Sequence, residues 1–446
     1  MSKKIIYIFF LLLIVACRVE NNLSTADEDI RMGGETSVEG VYAAIFQQPA
    51  ANLSVGEEEF HRQADRAFGD IFVTAPSVIN GGLGPIFNQN SCEGCHVGNG
   101  RANFPINSRD MGGLLLRISS NGQAVAGFGG QLQTKSIYGI RAEADVSISE
   151  QTNILNYLDG NTVTLTKPYF QIINPYQLLP SPLEISARIA PPVIGLGLLE
   201  AISEADILAG EDVQDANQDG ISGRANYVLN EQTGQIQLGR FGWKASQPNL
   251  LQQTAHAYNE DMGITSWYLP RESSAGQSQL DTLRDEPEID SLTLRAATFY
   301  TQSLAVPMRR NVSDLGVIKG KKLFYTLNCN SCHRAAYQTA AHEYGFLSYQ
   351  KIYPYTDLLL HDMGIGLADN RSDGLANGQE WRTPPLWGIG LTRLIAGQTH
   401  FLHDGRAKSI EEAILWHGGE AESIKNNFIN LNKIEREALI LFLESL

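Results

Sequence analysis

Two short segments constrain this chain more than anything else in it: SCEGCH at residues 91–96 and CNSCH at residues 329–333. Each sets two cysteines three positions apart with a histidine directly behind them. A zinc ion shared by both pairs would take four thiols and leave both histidines idle. Thiol–disulfide exchange places its CxxC at a helix start in a βαβ setting and has no use for the histidine. Covalent haem attachment uses all three residues. Each thiol forms a thioether to the porphyrin, and the histidine reaches the iron from one side. The expected cofactors are therefore two covalently bound haems c, one on Cys92, Cys95 and His96 and one on Cys329, Cys332 and His333.

The chain has five cysteines, and only Cys17 lies outside these motifs. It ends the opening stretch MSKKIIYIFFLLLIVAC, in which Lys3 and Lys4 precede an apolar run from Ile5 to Val15. That run is short for a membrane span and sits where a signal peptide has its apolar region. Ile14-Val15-Ala16-Cys17 resembles a bacterial lipobox, so residues 1–16 read as a lipoprotein signal peptide and Cys17 as the lipidated residue. The polar stretch that follows reads as a flexible tether over 17–55. The expected location is the bacterial cell envelope, periplasm or outer membrane, with the lipid on Cys17 as the membrane anchor.

A net charge of −15 argues against nucleic acid, which demands a basic footprint. It suits a basic protein partner, such as a small c-type cytochrome or another periplasmic electron donor.

An internal repeat suggests the architecture. Residues 191–202 and 384–395 both read PPxxGxGLxxxI, with Arg188 and Arg382 just upstream. The chain thus reads as two haem units, each built as CxxCH, a PPxxGxGL segment and a helix. The helix expected before the second motif carries Val317, Leu323, Phe324 and Leu327 on one face, with Gly320 permitting close contact. The last helix opens at Asn432 and Glu435, with Ile434, Ala438, Leu441 and Phe442 as its stripe. The expectation is a mainly α fold of two cytochrome c-like haem domains, 56–305 and 306–446. A mixed α/β insertion over about 105–180 holds the strand-like LLLRIS, DVSIS and TVTLT.

The second face of each iron decides its chemistry. Ser409 and Glu412 form a capping box, and Ile410, Ala413, Ile414 and His417 share a helix face that Gly418-Gly419 ends. His417 is the expected sixth ligand of the C-terminal haem. Asn249 and Gln252 imitate that box in the first half. There Leu250, Gln253, Thr254 and Ala257 take the matching places, and alanine binds no metal. The N-terminal haem is then open, or is ligated by Tyr258 or His256 after a register slip, or by Met111. Glu260, which matches Glu420, is the candidate for moving protons, with Asp261 beside it.

Asp215, Asn217, Asp219 and the Ile221 carbonyl have the oxygen spacing of a calcium loop, although Asn226 stands where an EF-hand needs glutamate. His361 and His403 read as turn histidines or haem contacts. Trp243 and Trp387 read as core residues or electron relays. Arg188 and Arg382 read as propionate partners or loop anchors.

From about Phe60 to Leu446 the chain resembles the bacterial di-haem cytochrome c peroxidase superfamily. The resemblance is greatest to its di-haem oxidoreductase branch, described as putative peroxidases and sometimes labelled thiol oxidoreductases. It rests on GPIFNQNSCEGCH, RIAPPVIGLGLLEAI, DANQDGISGRAN, GRFGWKA with EDMGIT, and CNSCH with FLHDGRAKSIEEAILWHGGEA. It implies calcium between the haems and a distal catalytic glutamate, carried here onto Glu260. It also implies a sixth ligand, usually methionine, at the position of His417, and a histidine there implies a lower potential. The family's distal histidine after the first CxxCH is missing, because no histidine occurs between His96 and His256. No free mature cysteine supports the thiol label. The resulting expectation is a peroxidase-like enzyme. Electrons enter at the His333/His417 haem and reach the His96 haem, where peroxide or a similar small oxidant is reduced. A pure electron carrier and an oxidase of a partner protein are the alternatives.

Overall fold

The computed structural model describes residues 28–105, 110–281, 283 and 285–446. The signal peptide and Cys17 lie outside them. From residue 28 the expected tether is instead packed. Asp29 is fully buried and pairs with Arg309 at 2.6 Å and Lys321 at 2.9 Å, and the Tyr355 hydroxyl donates to it at 2.5 Å. Met32, Ile45 and Phe46 join the main core. Polar composition misled here, because a few apolar residues between the charges, Met32, Ile45 and Phe46, point inward while Val41 and Tyr42 stay exposed.

The class also differs from expectation. With 30% helix and 19% strand, the fold is mixed rather than mainly α. Strand pairs occur in both halves, not only in the 105–180 stretch. One apolar core runs from Met32 to Leu446 through both halves.

The helices that position the site start at side-chain caps. Helix α1 (Val55–Gly69) opens on a Ser54/Glu57 capping box and buries His61, Ala64, Ala67 and Phe68. Helix α2 (Leu250–His256) is capped by Asn249 and runs into a π-helical turn, Ala257–Asp261. Helix α3 (Ser291–Ser303), capped by Asp290, packs on α1. Helix α4 (Leu315–Thr326), capped by Asp314, precedes the second CxxCH. Helix α5 (Ile410–Leu415) is capped by Ser409, and α6 (Lys433–Ser445) opens on the expected Asn432/Glu435 box. Helices α4 and α6 cross so closely that a Cβ on Gly320 would collide with the Ala438 carbonyl. Ala438 and Phe442 of the expected α6 stripe are buried, together with Leu439 and Leu443. Ile434 and Leu441 are exposed instead.

The three segments expected to be strands are strands. Strand β1 (Leu114–Ser119) pairs antiparallel with β4 (Glu184–Ile189). Between them β2 (Asp145–Asn156) and β3 (Thr162–Ile173) form a long hairpin. Its tip reaches the other half of the molecule. There Tyr157 donates to Glu411 at 2.8 Å, Asp159 pairs with Arg436 at 2.7 Å, and the Arg436 guanidinium lies over the Tyr157 ring. A smaller hairpin, β5 (Tyr227–Asn230) and β6 (Gln235–Leu238), flanks α2.

The internal repeat is a packing device. A Cβ on Gly197 would strike the Gln302 carbonyl at the end of α3, and one on Gly390 would strike the Glu444 carbonyl at the end of α6. Each PPxxGxGL segment thereby lies against the end of a long helix. Its prolines face a cavity of about 760 Å³ onto which both CxxCH motifs open.

Candidate di-haem site

Cys92–Cys95 is a single helical turn capped by Ser91, and it delivers His96 to the cavity wall. The His96 Nδ1–H donates to the Pro191 carbonyl at 2.7 Å, and the His333 Nδ1–H to the Tyr355 carbonyl at 3.0 Å. Such bonds fix the tautomer and leave Nε2 with a free lone pair. Desolvation pushes both imidazoles down to about 4, so they are neutral and able to ligate. All four described cysteines are free, and desolvation pushes Cys92 and Cys329 up to about 12 and raises Cys95 and Cys332 as well. Buried thiols held protonated are poor nucleophiles for disulfide exchange. Among the described residues no three His, Cys, Asp or Glu side chains converge as an ion site.

The cavity wall carries two arginines that point to an anionic guest. Arg101 and Arg382 are buried and form no ion pair among the described residues. Among the described residues Arg101 donates to the Leu402 carbonyl at 3.3 Å and lies over the Trp243 ring, while its Nε has no hydrogen-bond partner. Desolvation lowers both guanidinium groups to about 10. Asp357 offsets part of the cost at Arg382, whereas Arg101 has no such carboxylate among the described residues, and the propionates of a haem would supply one. The residues present fit two haems.

Two helical turns face the cavity in the same register. On one, Ile410, Ala413, Ile414 and His417 line the wall. The His417 Nδ1–H donates to the Ala413 carbonyl at 2.7 Å, again freeing Nε2, and desolvation keeps the ring neutral. His417 is close enough to His333 to depress its titration. On the other turn, Leu250, Gln253, Thr254 and Ala257 line the wall as expected. Of the alternative ligands, Met111 lies in a separate apolar cluster off the wall, and the Tyr258 hydroxyl donates to the Ala67 carbonyl, also off the wall. His256 is on the wall, but carboxylates flank both its nitrogens. The first half therefore offers no ligand at the Ala257 position, although the Met262 thioether, directly after the π-turn, also lines the wall.

It presents a polar group instead. The π-turn adds a residue to the helical circuit and brings both Glu260 and Asp261 to the wall. Arg117 of β1 pairs with Glu260. Desolvation alone would raise that carboxyl, but Arg117 and His256 outweigh it and hold Glu260 down at about 2. Asp261 accepts from Gln131 Nε2 at 2.7 Å. Desolvation, helped by the charge on Glu260, pushes it up to about 6. Gln131 and Gln133 also donate to the Glu260 carbonyl at 3.1 and 2.6 Å.

With that geometry in place, the match to known families is informative. The model of the family described as di-haem oxidoreductase, putative peroxidase matches residues 28–446. The chain belongs to this family. Membership implies two haems and an oxidoreductase. No curated protein matches the chain.

The other candidate residues of this di-haem oxidoreductase make contacts of their own. Asp215, Asn217 and Asp219 accept N–H groups of their own loop, from Gly220 at 3.2 Å, Asp219 at 2.9 Å and Ile221 at 2.9 Å respectively. His361 is clamped at 2.7 Å between Asp357 and Glu420, so it stays charged. His403 stacks on Trp381, with centroids 3.7 Å apart. The Trp243 Nε1–H donates to the Ile189 carbonyl, and both Trp243 and Trp387 line the cavity. Arg188 pairs with Asp373 and needs no propionate. Sequence reading missed Arg101, Arg117 and Gln131. A signal existed for Arg117, a lone charge inside the apolar strand LLLRIS.

Proposed function

We propose that this di-haem oxidoreductase is a peroxidase of the bacterial cell envelope, anchored by lipid on Cys17, with both haems bound through thioethers. Cys92, Cys95 and His96 would hold the first haem. Cys329, Cys332, His333 and His417 would hold the second. When bound, the second haem supplies one-electron transfer from a small c-type cytochrome or similar donor, and the first supplies an open iron position for peroxide. The observation that carries this reading is the asymmetry of the two matched turns: His417 on one, Ala257 with an acid pair on the other.

The protein's own part is proton handling and positioning. At neutral pH Asp261 is mostly a carboxylate yet close to its titration point, the condition for a useful base. Gln131 orients it. Arg117 keeps Glu260 ionised, which fixes the charge beside Asp261.

Electron paramagnetic resonance of the ferric holoprotein, followed by peroxide turnover with a reduced cytochrome, tests this. One high-spin and one low-spin haem are expected. Two low-spin haems in both oxidation states, without turnover, overturn it and leave an electron carrier.

A further inference from the structure

We propose that His256 is the proton donor for peroxide reduction, recharged from solvent through Glu231, with Asp261 as the matching base. This rests on the open first haem proposed above.

His256 ends α2, one residue before Ala257, and its ring lies on the cavity wall. Its Nε2 is 3.0 Å from Glu231 Oε1, and its Nδ1 is 3.8 Å from Glu260 Oε1. Glu231 sits in the β5–β6 turn, where its side chain is 35% exposed while also lining the cavity. Gln252 of α2 accepts the Glu231 N–H at 3.0 Å and so pins that turn beside His256. The imidazole therefore links a solvent-facing carboxylate to the cavity interior.

The charges around it keep it loaded. Glu231 faces it from the hairpin, Glu260 from the π-turn, and Arg117 stands behind Glu260, with Asp261 next along the wall. Desolvation would lower the ring, but the two carboxylates raise it to about 9. Its neighbour Asp261 is near 6. Two groups driven apart in this way are suited to act as acid and base at neutral pH. Glu260, held low by Arg117, has no proton to give.

The chemistry balances as H–O–O–H with two protons and two electrons giving two waters. Asp261 takes the proton of one oxygen, and His256 gives a proton to the other as the O–O bond breaks. That releases the first water. His256 regains a proton by way of Glu231 and solvent. The remaining oxygen receives the Asp261 proton and a second one from His256 and leaves as water. Two reduced one-electron donor proteins supply one electron each.

The test uses the holoprotein and its His256→Gln and Glu231→Gln variants, with hydrogen peroxide and a reduced small cytochrome for turnover and cyanide as the ligand probe. In His256→Gln, kcat/KM falls about 10²-fold. Cyanide leaves about tenfold faster, because the imidazolium no longer donates to the bound ligand. In Glu231→Gln, the loss of activity expected near pH 9 in the parent moves to lower pH. Cyanide dissociation unchanged in His256→Gln, or an alkaline limb that stays in place in Glu231→Gln, overturns the role of His256 while the open haem stands. A parent protein that binds no cyanide overturns the open-haem reading itself.

Discussion

Ala257 and His417 occupy the same register position, each eight residues past the cap of a helical turn that faces the shared cavity. One side chain can coordinate a metal and the other cannot. The two halves of the molecule thus repeat a frame while differing at the atom that decides reactivity.

His417→Ala should convert the C-terminal haem from low spin to high spin. His417→Met should keep it low-spin and raise its potential, because a thioether donates less than imidazole. Spectroelectrochemical titration of the two haems checks both. A spectrum unchanged in His417→Ala removes this residue from the iron.

Peroxide turnover should rise with pH through about 6 as Asp261 becomes a carboxylate. Asp261→Asn should abolish that limb and lower kcat/KM by about 10²-fold. A kcat/KM profile from pH 4.5 to 8 decides this, and an unchanged acid limb in the variant would clear Asp261 of the role.

Glu260 titrates lower in the fold than in the unfolded chain, where a glutamate has a pKa near ~4.3. Its contribution to stability is therefore present above that value and lost as pH falls towards about 2. Arg117→Gln removes the largest favourable partner of a partly exposed carboxylate and should destabilise by about 1–2 kcal/mol at pH 7. The difference should shrink between about pH 4.3 and 2, being clearly smaller at pH 3 than at pH 7 and gone only below about 2. Urea unfolding at pH 7 and pH 3 measures it.

Gly320→Ala should force α4 and α6 apart and destabilise by about 2–3 kcal/mol. Gly390→Ala meets the Glu444 carbonyl in the same way and should behave alike. Thermal unfolding of each variant provides the check, and an unchanged midpoint would show that the helices can separate freely.

Cys95→Ala and Cys332→Ala should each weaken attachment of one haem only. Intact mass of mature protein, made in a host able to attach haem c, should show two haem increments in the parent. A parent mass with none would end the thioether assignment.

Much of the site was legible because it depends on local pattern. The caps at Asn249, Ser409 and Asn432, the wall register of Ile410 through His417, and the role of Gly320 all follow from spacing within a few turns. The Arg117–Glu260 pair joins residues 143 positions apart, and no local pattern announces it. Helical periodicity places Glu260 on the face of Ala257, but it gives no hint of a π-turn that brings Asp261 there as well. The early chain was misread for a related reason. Asp29 looks like a solvated charge until Arg309, Lys321 and Tyr355 arrive from far along the sequence. Strand content was underestimated because most sheets here are pairs of two to four residues, too short to show alternation.

The β2–β3 hairpin leaves the first half and fastens its tip, through Tyr157 and Asp159, to Glu411 and Arg436 in the second. Glu411 lies on the same short helix that leads to His417. A cut in the connection after α3 would therefore yield two fragments neither of which is self-sufficient. One would carry a dangling arm, and the other would lack the clasp on its ligand helix. Evolution can trim or extend the outer loops of such a molecule, but it inherits the two halves as an inseparable pair.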